Sequence, residues 1–266
     1  MINLKDKLKL EGYGLLLQNN ELTITKTLEN EYIVIEEDLN VLIKENVNVN
    51  ILDLSHEKNI NITILNGGYL NYQIVNSNSS KRTINNYGKL DICEICLKET
   101  ITDLTINLLN EAANAEVNLL AISNNFNQTF NQMIVHKNPK TISNISNFGV
   151  AFSKSNIVFD TSGKIEKGMS KSKCVQLSKG IIMDDNAKIT SKPILLIDEF
   201  DVIANHGASI GKMSDESLFY LMSRGLSKKE AFLLVLNGII NPFIGKILDE
   251  ELKQNIIKEL TFLIKE

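Results

Sequence analysis

The feature that most constrains the fold is a long succession of short segments in which apolar and polar residues alternate. These segments run from about residue 21 to residue 210, with breaks rich in Asn, Gly, Ser and Asp roughly every 8–12 residues. They include ELTIT (21–25), YIVIE (32–36), VNVNIL (47–52), NITIL (61–65), LTINLL (104–109), EVNLLAI (116–122), GVAF (149–152), NIVF (156–159), KPILLI (192–197) and DVIA (201–204). A period of two is typical of strands, and no alternation of strands with helices accompanies it. The pattern predicts an all-β body, and the absence of a strict repeat leaves a sandwich, a barrel or a solenoid open.

Asparagine is the most conspicuous residue type in the composition. The chain holds 33 Asn but only three Pro and no Trp. Because Asn tolerates left-handed backbone positions and bonds to its own backbone, we expect many of these residues in the turns between strands.

Beyond about residue 212 the pattern becomes helical. Ser214 or Asp215 can cap a first helix, and Gly225 is placed to end it in a left-handed conformation. The sequence therefore divides into an N-terminal extension (1–20), a β core (21–212) and a C-terminal helical subdomain (213–266). Residues 4–19 are compatible with a short helix or an opening strand.

Further capping signals follow in the C-terminal subdomain. Ser227 and Glu230 form a capping box that opens a second helix, which we expect to end near Gly238. Pro242 can start a third segment, and Asp249 can cap a fourth. The apolar face of this last helix consists of Leu252, Ile256, Leu260 and Ile264.

Composition excludes several classes of protein. The chain has 266 residues, of which 43% are hydrophobic and 23% charged, which is typical of a globular domain. A net charge of −4 gives no basic surface for nucleic acid. No apolar run approaches the roughly 20 residues of a membrane span, and the first residues lack the apolar core of an export signal. Three cysteines favour a reducing compartment, so we expect a cytoplasmic protein with no membrane or nucleic-acid partner.

The cysteines predict packing rather than metal binding. Cys93 and Cys96 form a single CxxC, and one such pair is a weak metal signal. If this segment is a strand, residues three apart face opposite sides, and Cys93 would lie with Ile95 and Leu97 on the buried side. Cys174 is isolated, and free cysteine packs well in cores.

Other candidate catalytic groups are weak as well. His56 and His136 lie in polar contexts, which favours surface or turn positions. Asp184 and Asp185 are adjacent and diverge, so joint acid–base chemistry is not expected. The chain has no GxSxG, phosphate-binding loop, HExxH or GxGxxG in a supporting context. The residues therefore predict no enzyme.

His206 is the one residue left with two open interpretations. Residues 202–210 alternate with a period of two, and the imidazole occupies a position where a small or apolar side chain is expected. It could be a core imidazole held by a backbone carbonyl. Alternatively, it could be a nitrogen ligand or proton carrier near a sheet edge or subunit contact, where Gly207 leaves room for close approach.

The segment KPILLIDEFDVIANHGASIGKMSDESLFYLMSRGLSKKEA (192–231) resembles the C-terminal signature of the SufB/SufD family, the scaffold subunits of the SUF iron–sulfur cluster assembly machinery. Weaker similarity lies at 132–144, 149–159 and 167–177, and the resemblance covers about residues 40–245. The matching positions are Pro193, Val202, His206, Gly207, Ala208, Gly211, Phe219, Tyr220, Ser223, Arg224, Gly225, Glu230 and Ala231.

The resemblance implies a right-handed parallel β-helix followed by a helical subdomain, in a non-enzymatic scaffold. It implies pairing with a SufB-like subunit through the β-helices and docking of a SufC-like ABC ATPase on the helical end. No tightly bound cofactor is expected, although iron or an iron–sulfur cluster could be held transiently. The residues expected to contact the ATPase are Leu218, Phe219, Tyr220, Leu221, Arg224, Gly225, Phe232 and Leu236.

The same resemblance indicates a SufD-like subunit. B-type members have a Glu where this chain has Gly207, and a cysteine at the position that matches Ala187. In D-type members the histidine that matches His206 is implicated at the cluster-assembly site, so His206 is the candidate iron or cluster ligand. By this resemblance we expect the N-terminal region of longer members to be absent or reduced to residues 1–20. Two alternatives remain: a homodimeric scaffold with the ATPase alone, and a β-helix enzyme acting on polysaccharide, for which aromatic residues are few.

Overall fold

Two β-sheets of nine strands each form the body of the protein. A computed structural model describes residues 1–4, 10–213 and 215–265, and its strands are numbered β1–β18 in chain order. In spatial order, the first sheet contains β1 (Ile2–Asn3), β4 (Tyr32–Ile35), β6 (Asn48–Asp53), β8 (Tyr69–Val75), β10 (Lys89–Cys96), β12 (Asn114–Asn124), β14 (Ile142–Phe152), β16 (Lys173–Ile182) and β18 (Ile203–Lys212). The second contains β17 (Lys188–Ile197), β15 (Asn156–Ile165), β13 (Asn127–His136), β11 (Thr100–Leu108), β9 (Lys81–Asn86), β7 (Asn59–Ile64), β5 (Leu39–Ile43), β3 (Glu21–Ile24) and β2 (Leu15–Gln18).

The connectivity is that of a solenoid. From β3 onward, successive strands alternate between the two sheets, so each pair of strands completes one coil. The described ladders are parallel, apart from the antiparallel β2–β3 hairpin. This arrangement confirms the predicted mostly-β fold of the β-helix type and excludes a sandwich or a closed barrel.

The coils lengthen along the chain. One coil separates the paired residues Ile33 and Ile51 by 18 positions, whereas a later coil separates Ile145 and Gln176 by 31. A solenoid whose coils change length has no fixed sequence period, which explains why no repeat is visible in the sequence.

The core fills the space between the sheets, which we call the lumen. Alternate residues of each strand point inward and stack in register on the coil before. One such column contains Ile33, Ile51, Tyr72, Ile92, Val117 and Ile145, all buried. Burial of each such side chain contributes about 1.5–3 kcal/mol.

Asparagine serves both the turns and the outer surface. Six of the twelve non-glycine residues with positive φ are Asn, as the composition predicted. Elsewhere Asn side chains bond from coil to coil, as in Asn61 to Asn40 (2.9 Å) and Asn71 to Asn50 (3.0 Å). These amide ladders stabilise parallel stacking but leave no distinctive pattern in the sequence.

Three helices follow the solenoid: α1 (Asp215–Ser223), α2 (Lys228–Ile244) and α3 (Glu250–Lys265). The predicted caps are present. Gly225 has a φ of 97°, Ser227 and Glu230 form the capping box, and the Asp249 carboxylate accepts from the Leu252 N–H at 2.8 Å. Ser214, the alternative first cap, lies outside the described residues.

The predicted end of the second helix was wrong. Instead of ending near Gly238 with a new segment at Pro242, α2 continues through both residues to Ile244. Leu236 and Ile240 of the same helix are buried against the first sheet. Packing of this face outweighs the local cost of a glycine and a proline inside the helix.

Helices α2 and α3 pack on the outer face of the first sheet. Their buried residues form one cluster with the outward residues of the middle strands. Polar contacts fix the packing: the Gln73 side chain accepts from the Leu248 N–H (3.0 Å), and the Asn124 amide donates to the Leu263 carbonyl (3.1 Å). Because of this cover, the middle strands of the first sheet are buried on both faces.

The N-terminal residues join the solenoid. β1 pairs with β4, and β2 closes the hairpin with β3 after a short 3₁₀ turn at Glu11–Tyr13. Residues 5–9 lie outside the described part of the chain. In the ranges that the structure describes, no helix combines the length and apolarity required to cross a lipid bilayer.

Candidate functional site

The C-terminal end of the solenoid is open. β17 and β18 are the terminal strands of their sheets. The Ile203 N–H donates to the Ser172 carbonyl (3.0 Å). In a regular parallel ladder the N–H groups of residues 204, 206, 208 and 210 must therefore point away from β16. A free strand edge of this kind is a template for pairing with another chain.

Large apolar side chains surround this open end. Leu177, Ile194, Leu196 and Ile203 are each between 43% and 56% exposed, and Phe200 is fully exposed. Ile194 and Leu196 lie on β17, Ile203 on β18, Phe200 on the loop between these strands, and Leu177 on the neighbouring β16. A concentration of exposed apolar residues next to free strand edges is typical of an interaction surface.

His206 lies at the mouth of the lumen. Its Cα is in register with Gln176, which places it at the end of the inward column that begins with apolar residues. Gln176 is 2% exposed, whereas His206 is exposed because no further coil covers it. The periodicity that predicted an inward position was therefore right. Of the two interpretations, the structure favours an accessible imidazole at a sheet edge.

The cysteines are free and buried, as the sequence predicted. Cys93 points outward beneath α2, 4.0 Å from the Phe243 carbonyl, and Cys96 points into the lumen. Burial raises the pKa of Cys93 to about 11 and that of Cys96 to about 12, so both stay protonated thiols. Cys174 also lies buried in the lumen, where burial raises its pKa. Residues 1–4, 10–213 and 215–265 contain no cluster of three or more His, Cys, Asp or Glu side chains that could hold a metal ion.

The predicted position of His136 was wrong. It is not at the surface but fully buried at the end of β13, with ring nitrogens 2.8 Å from the Thr141 hydroxyl and 2.9 Å from the Ser143 hydroxyl. Burial lowers its pKa to about 4, so the ring is neutral. The polar neighbours Lys137 and Asn138 misled the prediction because they follow the end of β13, whereas the ring itself points inward, toward the hydroxyl groups of Thr141 and Ser143. His56 is exposed, as predicted.

A buried ionic cluster in the middle coils was not predicted. The Arg82 guanidinium contacts the Asp53 carboxylate at 2.8 Å, and both side chains are almost completely buried. The Tyr72 hydroxyl also donates to Asp53, and the inward Glu94 lies in the same part of the lumen. The available signal was the inward position of each residue in its strand, which would have identified buried charges.

The predicted ATPase-contacting residues separate into two groups. Leu218 and Leu236 are buried, and Phe232 packs edge-on against Phe152 with ring centroids 6.5 Å apart. These three side chains serve the internal packing of the helical region. Leu218 and Leu236 therefore offer little surface to a partner in this conformation, whereas Phe232 is only partly buried.

The remaining candidates form an accessible surface on α1. Phe219 is 73% exposed and Tyr220 58%, and the Arg224 guanidinium lies 5.3 Å from the Tyr220 ring centroid. Leu221 is half-buried beside them, and Gly225 ends the helix. Exposed aromatic and Arg side chains of this kind are typical anchors of protein interfaces.

Comparison with known proteins gives a consistent result. The sequence profile described as "SUF system FeS cluster assembly, SufBD core domain" matches residues 16–239. The iron–sulfur cluster assembly protein SufD of Bacillus subtilis is 32% identical over 168 residues, which are 63% of this chain and 38% of that protein. SufD of Plasmodium falciparum is 30% identical over 130 residues, covering 48% of this chain and 9% of that protein.

A third relative matches over a shorter segment. A SufBD family protein of Pyrococcus horikoshii is 36% identical over 105 residues, or 37% of this chain and 23% of that protein. The chain thus spans well under half the length of these relatives. Since the profile covers most of the solenoid, α1 and the larger part of α2, the chain belongs to the SufB/SufD family of iron–sulfur cluster assembly proteins.

Proposed function

We propose that this chain is a D-type scaffold subunit of an iron–sulfur cluster assembly complex and that it works by pairing rather than by catalysis. The observation that carries the proposal is the open end of the solenoid, where two free strand edges, exposed apolar residues and His206 lie together. The similarity to proteins named SufD supports the D-type assignment. Three buried free thiols suit a reducing compartment such as the cytoplasm.

The partner at the open end is a second solenoid of the B type. Strand addition to β17 and β18 would satisfy the outward N–H groups of both edges, and the surrounding apolar side chains would be covered at the same time. The seam between the two solenoids would then lie directly over the lumen.

Two matched substitutions test the pairing. Leu196 on β17 and Leu16 on β2 are both 47% exposed but lie at opposite ends of the solenoid. We expect Leu196→Lys to abolish co-purification with a B-type subunit and Leu16→Lys to leave it intact. Equal behaviour of the two variants would refute the pairing surface. Sedimentation of the isolated chain as a dimer would support the homodimeric scaffold instead.

His206 would face this seam and bind iron or a cluster intermediate as cargo. A neutral imidazole is a good ligand for iron, and the described part of this chain gathers no complete ligand set of its own. Further ligands would then come from the partner. We expect His206→Ala to reduce iron loading of the purified complex, whereas His56→Ala, a change at another exposed histidine, should have no effect. Unchanged loading in His206→Ala would eliminate the ligand role while leaving the pairing role testable.

The exposed face of α1 would dock the ABC-type ATPase. Phe219 and Phe262 are both highly exposed aromatic residues, but Phe262 lies on α3. We expect Phe219→Lys to prevent binding of the ATPase and Phe262→Lys to permit it. If both variants bind the ATPase normally, α1 is not the docking surface.

A further inference from the structure

Several polar atoms inside the last coils have no hydrogen-bond partner among the described residues. Among the six such buried atoms in the described part of the chain are Gln132 Nε2, Asn147 Oδ1, Gln176 Oε1 and Ser191 Oγ; the other two are Gln128 Oε1 and Asn156 Oδ1. Native proteins pair the great majority of buried polar atoms, either with protein groups or with ordered water. Four such atoms in neighbouring coils therefore require an explanation.

The strand register places Asn147 and Gln132 opposite each other in the lumen, with Gln176 one inward position from Ser178 on β16 and Ser191 one inward position from Pro193 on β17. We call this part of the lumen the compartment. Asn147 lies between Leu119 in the coil before and Ser178 in the coil after, and Ser178 is followed by Ala208 at the mouth. Along this column the side chains become smaller toward the open end. On this face of the lumen the side chains therefore occupy less volume toward the mouth.

The opposite sheet completes the compartment. Gln132 follows Leu104 in register and bonds to Asn147, whose amide donates to Gln132 Oε1 at 2.9 Å. Leu104 and Leu119 thus form an apolar floor that separates this compartment from the buried ionic cluster around Arg82. If the nitrogen and oxygen of either amide are exchanged, a different atom lacks a hydrogen-bond partner, but one atom of each amide still remains unpaired.

We propose that this compartment binds small, neutral, hydrogen-bonding molecules and holds ordered water that reaches it from the mouth beside His206. The four side chains are uncharged amides and a hydroxyl, so an ion would find no counter-charge among them. They present both donors and acceptors, and water can satisfy both with two to four bonds. The inference concerns the isolated chain and does not depend on the proposed pairing.

Ser191→Ala tests whether the compartment is wet. Within the described residues, the Ser191 hydroxyl has no protein partner, so its removal breaks no protein hydrogen bond. In a dry lumen this change would remove an unpaired polar group and raise the denaturation midpoint. In a hydrated lumen it removes a bond to water, and we expect a lower midpoint. Ser123→Ala is the control for the loss of a hydrogen bond, because the buried Ser123 hydroxyl donates to the Phe126 carbonyl at 2.6 Å. The denaturation midpoint of this variant should also fall. A midpoint for Ser191→Ala that stays level or rises overturns the proposal.

Crystallography of the full chain gives a second, direct measurement. At a resolution that shows ordered solvent, we expect density within hydrogen-bond distance of Asn147 Oδ1 and Gln176 Oε1. Water or a small neutral additive at these atoms supports the proposal, and an empty lumen or a charged ion overturns it.

Access from the mouth is tested with Ser178→Cys. The small neutral reagent methyl methanethiosulfonate should modify this new thiol faster than it modifies the native cysteines, and Ala208→Leu in the same chain should slow the reaction. A thiol at position 178 that reacts no faster than Cys96 would overturn access by this route.

Discussion

The carboxyl group of Glu94 is expected to make the protein less stable as the pH rises from about 4.5 to about 7. Glu94 points into the lumen from β10 and is 4% exposed. Burial raises its pKa to about 7; the nearby Arg82 guanidinium acts against this rise and Asp53 adds to it. An acid whose pKa is raised in the folded state stabilises the fold fully below its unfolded pKa. That contribution is lost as the pH rises to the folded value.

The magnitude follows from the size of the pKa change. Each tenfold change in proton affinity corresponds to about 1.4 kcal/mol, so a rise from 4.5 to about 7 amounts to about 3 kcal/mol. Glu94→Gln keeps the shape of the side chain but cannot ionise. The quantity to follow is the unfolding free energy of Glu94→Gln minus that of the wild type. Between pH 4.5 and pH 7 this difference should increase by about 3 kcal/mol, and above pH 7 it should stay constant.

The assay is denaturant unfolding of both proteins at a series of pH values from about 4.5 to 8.5, a range chosen to span both pKa values. The difference in unfolding free energy between the two proteins is more informative than either pH curve. Below pH 6.5 the buried His136 makes the stability of both proteins rise with pH, which opposes the effect of Glu94 and cancels in the difference. Glu116→Gln, on the outer face of the next strand, controls for the general loss of one negative charge. A stability difference that is constant across this range would refute the reasoning. A Glu94→Gln variant that becomes relatively less stable above pH 7 would show that attraction to Arg82 outweighs burial.

Three further predictions concern other features of the fold. Arg82→Met leaves the Asp53 carboxylate buried without its guanidinium partner and should cost about 3–5 kcal/mol of unfolding free energy at pH 7, part of which Asp53→Asn in the same chain should restore. His136→Gln should remove the loss of stability that the wild type shows in chemical denaturation as the pH falls from 6.5 to about 4, since a buried neutral imidazole resists protonation. Gly225 has a φ of 97°, which is unfavourable for a residue with a Cβ, so Gly225→Ala should cost about 1 kcal/mol of unfolding free energy and lower the thermal midpoint. The same change at Gly238 in α2, where an added Cβ meets open space, should raise the midpoint by a similar amount; equal signs at the two glycines would contradict this account.

Local signals in the sequence were sufficient for several parts of the structure. The period of two identified the strands, and the capping residues Ser227 and Asp249 marked where α2 and α3 begin. The resemblance around His206 indicated the family. These features depend on residues close together in the chain, where backbone geometry and capping bonds are decided by neighbours.

Other features depended on contacts between distant residues and were inaccessible or misjudged. The local sequence around Pro242 predicted the start of a new helical segment. In the structure α2 continues through Pro242 because its buried face packs on the first sheet. His136 was predicted to lie at the surface, but packing of the coils buries the inward face of its strand in the lumen, where its ring nitrogens hydrogen-bond to the Thr141 and Ser143 hydroxyl groups.

By itself, the sequence determined that strands come before helices in this chain and that His206 shares the face of its strand with small and apolar residues. Only the tertiary structure decided that the coil above His206 is missing, so that this face leads to an open mouth. Alternation of residue types distinguishes the two faces of a strand, but exposure depends on what covers each face, and that is supplied by residues far away in the chain.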